Sequence, residues 1–306
     1  MKRTIKSETF YMNYSKYLLR KTLWLTIAFG MAVLATGCSF PTKATKTVGL
    51  PGIKPLASAD QVKLIEKIED VKQPYQIVGQ AAIIREGMGL DQGASYKRMK
   101  EIAAGMGADG LIGLHEGFVF GPPVTYFRSG LAVKWLAQGE TKRELAVPFI
   151  VGVLPIILDP NDPSKKSINA ESLRMAVLCP LEVKGYYVLP VQQGDFKGGI
   201  EKAKMLDDTE LRVVGGENAQ LLLGLTVEAS ANTSAVVVSG STASIKTTLM
   251  DKRTRKTVFE GRGFGTVTVG WLVDAIVPNE KLATAAREAA RYALKTLPAI
   301  YEEIPY

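Results

Sequence analysis

The run Pro180-Leu181-Glu182-Val183-Lys184-Gly185-Tyr186-Tyr187-Val188-Leu189-Pro190-Val191 decides how the second half of this chain is read. Upstream of it, Leu173, Val177 and Leu181 recur every four residues, the spacing of one helix face, and Asn169 can cap the start. Gly185 supplies a stop, because a glycine just past a helix tolerates the left-handed backbone needed there. Tyr186 to Val191 then reads as a strand of β-branched and aromatic residues. Taken alone, Met175 to Leu181 also fits a strand; the cap and the four-residue repeat favour the helix.

The flanking segments extend this pattern. Ala146 to Leu158 is apolar with Pro148 and Pro155 inside, too short to span a bilayer, and reads as a buried strand. Asp159 to Ser164 is a loop. Asp207 and Glu210 have capping-box spacing for a short helix. Ala243, Ile245, Thr247 and Leu249 alternate with Ser244, Lys246 and Thr248, as in a half-buried strand. Asp251 to Lys256 is a charged turn, and Val258 to Thr268 returns. Its basic residues Lys252, Arg253, Arg255 and Lys256 fit a solvated tip or a contact to anionic lipid or glycan. Gly261, Gly263 and Gly265 alternate without leading into a helix, which excludes a phosphate loop and points to close packing. Val267 to Val277 surrounds Trp271 and reads as core, with Trp271, Leu272 and Val273 as a candidate partner-docking segment. Lys281 to Thr296 is a last helix, with Leu282, Ala285, Ala289 and Tyr292 on one face.

Val153-Leu154-Pro155, the Asn161–Ser164 loop and the Pro180–Val191 run together resemble a family of bacterial lipoproteins of unassigned activity. Its signature includes a helix ending in "PLAE-GYYVLPV". The resemblance continues through Leu211–Leu223 and the hairpin Thr248–Gly261. Domains of this kind look like the α/β domains of TolB and of CsgG-type secretion lipoproteins. The resemblance implies that fold and carries over no catalytic residue.

Residues 59–142 read as a smaller α/β unit. Strands are expected at 62–65, where a helix is the alternative, at Tyr75–Arg85, from Gly110 and over Val124–Ala137. A helix is expected from Asp91 to Met106, with Met99, Ile102, Ala103 and Met106 on one face and Gly107 as its stop. The junction Ala103–Gly113 resembles that of small envelope domains of the RcsF and YbjQ kind. Helix, glycine turn and buried strand recur at 91–114 and 207–227.

The N-terminus reads as an address. Lys16, Arg20 and Lys21 precede an apolar stretch of 13 residues, Leu23 to Ala35, which is shorter than a membrane span. Ala35-Thr36-Gly37-Cys38 resembles a bacterial lipobox, which implies cleavage after Gly37 and acylation of Cys38 with palmitate-type chains. Ser39 in place of Asp implies, by the same resemblance, sorting to the outer membrane. Met12 is an alternative start. Residues 38–58 are expected to be a flexible tether reaching about 60 Å.

Charge and composition narrow the function. Net charge is +8, but +5 of it lies in the first 37 residues, leaving +3 for the body. That is too little for a nucleic-acid face. One histidine and two cysteines leave no zinc constellation. His115 and Glu116 lack further ligands, so His115 reads as a surface or packing residue. Cys179, the remaining thiol once Cys38 is acylated, reads as buried and inert. Acid pairs such as Asp159/Asp162 and Asp207/Asp208 sit where turns and helix starts attract acids.

The expectation is an α/β (α+β) chain: signal peptide 1–37, tether 38–58, and two small mixed-sheet domains, 59–142 and 143–306. It has no catalytic or metal residue and no cofactor. It is a lipid-anchored periplasmic adaptor at the outer membrane, touching the bilayer through Cys38 and an envelope protein through its body. A small-ligand or metal-binding module is the alternative, with His115, Glu116 and Cys179 as candidate ligands lying in different units; a cell-wall or glycan hydrolase is the third reading.

Overall fold

Tyr75 to Glu86 is nearly continuous in buried residues, which demands a central strand covered on both faces. The computed structural model describes residues 41–87, 89–119, 124–158, 168, 170–189, 196, 198–234, 238–270 and 280–305. In it, β1 (Thr42–Val48), β2 (Lys63–Ile65), β3 (Tyr75–Glu86), β4 (Gly110–Val119) and β5 (Thr125–Trp135) share a six-stranded sheet with β11 (Glu302–Ile304), ordered β11-β1-β3-β5-β4-β2. Only the β2–β4 pair is parallel. The second sheet contains β6 (Ile150–Val153), β7 (Tyr187–Val188), β8 (Leu221–Ser234), β9 (Val238–Asp251) and β10 (Thr257–Gly270), ordered β10-β9-β8-β6-β7. Here β6 runs parallel to β7 and β8, and the long strands β8, β9 and β10 are antiparallel. Two mixed sheets with helices give the α/β class expected.

Five helices are described: α1 (Gln92–Gly105), α2 (Ala170–Glu182), α3 (Ile200–Lys204), α4 (Asp208–Val213) and α5 (Glu280–Ala293). Helix α1 starts where Asp91 Oδ1 accepts from the Ala94 amide at 2.7 Å. It ends at Gly107, whose φ of +78° is the left-handed stop expected. The capping residue Asp207 does the same for α4, accepting from the Glu210 amide at 2.8 Å. Helix α2 carries Pro180 in its last turns and ends before Gly185, φ +90°. Short α3 has no counterpart in the sequence reading. The expected cap Asn169 lies outside the described residues.

Three apolar clusters form the core. Ala44, Val78, Ala81, Ile83 and Leu111 pack on α1 through Met99, Ile102 and Ala103. Ile77, Ile112, Leu131 and Val133 meet Phe149, Ile150, Tyr187, Leu222 and Met250 in a layer shared by the two sheets. Leu221, Leu223, Leu225, Ile245 and Leu249 face α2 and α5. Period-two alternation places Leu222 in one layer and its neighbours Leu221 and Leu223 in the other, which is what a strand buried on both faces requires.

Three expectations are corrected. The tether does not extend over 42–58: Thr42–Val48 is a strand hydrogen-bonded between β3 and β11, with Ala44, Thr45 and Thr47 buried. Its alternation of lysine and threonine with only Ala44 and Val48 as apolar residues hid it. The first sheet therefore draws on two strands outside 59–142. The strand expected over Tyr186–Val191 shrinks to Tyr187–Val188 among the described residues. Tyr292, expected on the buried face of the last helix, is 48% exposed.

Candidate functional site

The one histidine of the chain leads to the most densely connected polar group of the interior. Glu182 closes α2, and its side chain is fully buried. Oε1 lies 2.9 Å from His115 Nδ1 on β4 and accepts from the Val188 amide on β7 at 2.9 Å. Oε2 accepts from Gln80 Nε2 on β3 at 2.7 Å and from Ser129 Oγ on β5 at 2.6 Å. One carboxylate thus ties three strands of the first sheet to a helix and a strand of the second. Charge-assisted bonds of this length are about twice as strong as neutral ones. A buried carboxylate needs them, because desolvation without partners costs several kcal/mol.

Tyr187 completes the cluster. Its ring stacks on His115 at 4.6 Å between centroids, and its hydroxyl donates to the Gly113 carbonyl at 2.7 Å. Burial holds its phenol well above the usual tyrosine range. His115 Nε2 faces that hydroxyl at 3.4 Å, too long to be a strong bond. With Nδ1 directed at the carboxylate, the histidine has the tautomer of a general base, but Nε2 points at a tyrosine already committed to a carbonyl. The Ser129 hydroxyl donates to Glu182 rather than to the histidine. The arrangement fastens two sheets; it has no nucleophile positioned for attack.

Glu116, adjacent to His115 in sequence, points the other way and pairs with Arg128 at 3.0 Å. Helix α2 lies against β4, so Glu116 and Cys179 line one groove together, a proximity that the assignment to different units did not anticipate. Among the described residues no group of three or more His, Cys, Asp or Glu side chains could hold a metal ion. Burial pushes the Cys179 thiol up to about 11, so it is protonated and inert at neutral pH. Asp207 caps α4 and Asp208 pairs with Arg255 at 2.6 Å, so this acid pair is structural. Gly37, Cys38, Asp159, Asp162, Trp271, Leu272 and Val273 lie outside the described residues.

A groove of about 750 Å³ runs between the end of β4 and helices α2 and α5. Phe118, Met175 and Cys179 line it, together with Arg287, Arg291, Glu116 and Glu288, of which Arg291 and Glu288 pair at 2.7 Å. A smaller polar cleft of about 380 Å³ contains Lys252. The basic turn is not a free tip. Lys252 Nζ donates to the carbonyls of Arg212 at 2.8 Å, Val214 at 3.0 Å and Gly216 at 3.3 Å, closing the C-terminal end of α4. Arg255, in the left-handed region at φ 57°, donates to the carbonyls of Lys204 and Leu206. Two of the four basic residues are therefore spent on helix ends, as helix dipoles favour.

No protein-family model matches the chain, and no curated protein sequence matches it. Among solved structures it is similar to lipoprotein GNA1162 from Neisseria meningitidis (20% identity, 43% of this chain and 96% of that one, TM-score 0.32). Others are the protein CT253 from Chlamydia trachomatis (11%, 47% and 92%, TM-score 0.32) and the PelC dodecamer from Paraburkholderia phytofirmans (17%, 50% and 90%, TM-score 0.30).

Proposed function

We propose that this chain is a non-enzymatic lipoprotein of the bacterial cell envelope, anchored by an acylated Cys38 and serving as a periplasmic adaptor at the outer membrane. The observation that carries the reading is the order Lys16/Arg20/Lys21, the apolar run Leu23–Ala35, then Ala35-Thr36-Gly37-Cys38. Two or three acyl chains at about 0.8 kcal/mol per buried methylene hold a protein on a bilayer without a membrane-spanning segment. No helix among the described residues is long and apolar enough to cross a membrane. The body supports a non-catalytic role through the closed His115–Glu182–Tyr187 cluster.

The anchor acts at short range. Strand β1 begins at Thr42, four residues after Cys38, and four residues span at most about 14 Å. An acylated Cys38 would hold the folded body against the bilayer surface instead of at the end of a long leash. A partner would then have to be met at the membrane.

The test is crosslinking in whole cells followed by purification, comparing wild type with Cys38→Ala. A discrete envelope protein captured by the wild type and lost with the anchor supports the adaptor reading. Wild-type protein that is membrane-bound yet captures nothing refutes it. The groove lined by Phe118, Met175 and Cys179 favours a second reading, a module for a small, largely apolar ligand.

A further inference from the structure

Strand β10 ends its sheet: β9 pairs with one edge along Thr257–Gly270, and among the described residues no strand pairs with the other. A long open edge offers a row of backbone donors and acceptors to another chain. Helix α5 packs on one face of β10, where Gly263 and Gly265 are buried. The opposite face carries Phe264, 61% exposed. Beside it, on the same face and beyond the bulge at Thr257–Phe259, stand Glu260 and Arg262.

We propose that β10 pairs antiparallel with β10 of a second copy of this chain, in the register centred on Gly261. A strand that pairs with itself must place residues of the same parity opposite each other, so neighbouring registers differ by one step of its centre. Centred on Gly261, the pairing sets Glu260 opposite Arg262 twice. Centred on Glu260, it would face Glu260 with Glu260. Centred on Arg262, it would face arginine with arginine and Glu260 with Phe264. Directly opposed like charges are unfavourable, so charge selects the Gly261 register from these three.

The ion pairs already present extend this complementarity. Glu260 pairs with Lys246 on β9 at 2.9 Å, and Arg262 pairs with Glu228 on β8 at 3.2 Å. Within each sheet Lys246 stands directly opposite Arg262, and Glu260 and Glu228 each offset one of these two facing cations. Exposed ion pairs contribute little affinity. Their role here is register; backbone hydrogen bonds supply the association. This pairing stands independently of the lipid anchor.

Sedimentation equilibrium of the full chain, solubilised in detergent, tests it with wild type, Glu260→Arg, Arg262→Glu and the double exchange Glu260→Arg/Arg262→Glu. Near-ultraviolet circular dichroism monitors folding of each. The expected result is a wild-type dimer, at least tenfold weaker association for each single reversal, and recovery in the double exchange. A monomeric wild type overturns the proposal. So does a dimer indifferent to the single reversals, which would use another surface. A double exchange that stays monomeric while folded overturns the register.

Discussion

Glu182 Oε1 and His115 Nδ1 lie 2.9 Å apart and join residues 67 positions apart in sequence, one ending a helix of the second sheet layer and the other in a strand of the first. The contact is unequal. Glu182 is fully buried, whereas the histidine side chain retains 19% exposure. Glu182→Ala would strip a partner from Gln80, Ser129, His115 and the Val188 amide at once, and the expected cost is about 3–5 kcal/mol. His115→Ala removes one of the four bonds at a site that water can reach, and should cost about 1–3 kcal/mol. Urea unfolding monitored by circular dichroism checks the order; equal losses would show that the histidine, not the carboxylate, is the anchor.

The glycines of β10 make a second claim. A Cβ at Gly263 would overlap the Ala289 carbonyl oxygen, and one at Gly265 would overlap that of Ala285, so helix backbone lies directly on strand backbone. Gly263→Ala should cost about 3 kcal/mol, the upper end for overpacking. Gly105→Ala is the control. It sits in the last turn of α1 with open space around it and should gain about 0.5–1 kcal/mol. Thermal unfolding of both variants gives the comparison.

Cys179 should resist modification in the native protein. Burial places its thiol near 11, so about one molecule in a thousand is thiolate at pH 8. A thiol reagent at pH 8 is expected to react slowly with folded protein and rapidly in 6 M guanidinium, which is about the strength that unfolds even hyperstable domains. Fast native labelling would contradict the packing of α2 against β4.

Lys252 links stability to pH. Burial lowers its ammonium to about 8 from an ordinary value of 10.5. Between those values the unfolded chain binds more protons than the folded one, so this group makes stability rise as pH increases from 8 to 10.5. Below pH 8 both states carry the charge and the contribution is flat. Lys252→Met should remove the slope, and the difference in unfolding free energy between wild type and variant should grow across that window. A constant difference would show that the three carbonyl bonds hold the ammonium at its ordinary value.

Much of the fold was legible where pattern and punctuation agree. Asp91, Met99, Ile102 and Gly107 mark α1 from cap to stop, and Gly185 separates α2 from β7. Gly107 and Gly215, both in the left-handed region, turn the two helix-to-strand units that echo each other in sequence. Strand β1 was not legible, because a strand that buries threonines and carries two lysines has a weak apolar signal. Its burial comes from Thr45 and Thr47 in contact with other elements, the latter donating to the Gly185 carbonyl at 2.9 Å. The polar cluster was half legible. His115 stood out by rarity, but the partner that defines its role is Glu182, the one acid in the apolar run from Met175 to Leu189. A lone acid inside such a run is the signal that would have found it. Long-range pairing is what sequence periodicity does not encode: Gln80, His115, Ser129 and Glu182 meet only once both sheets are assembled.

The proposed anchor requires that Cys38 become the acylated N-terminus. Intact and peptide mass spectrometry of the protein extracted from membranes reads this out. The expected chain begins at Cys38 and carries two or three acyl chains, with Cys38→Ala leaving the preceding segment attached. An unmodified chain that retains residues before Cys38 would contradict it.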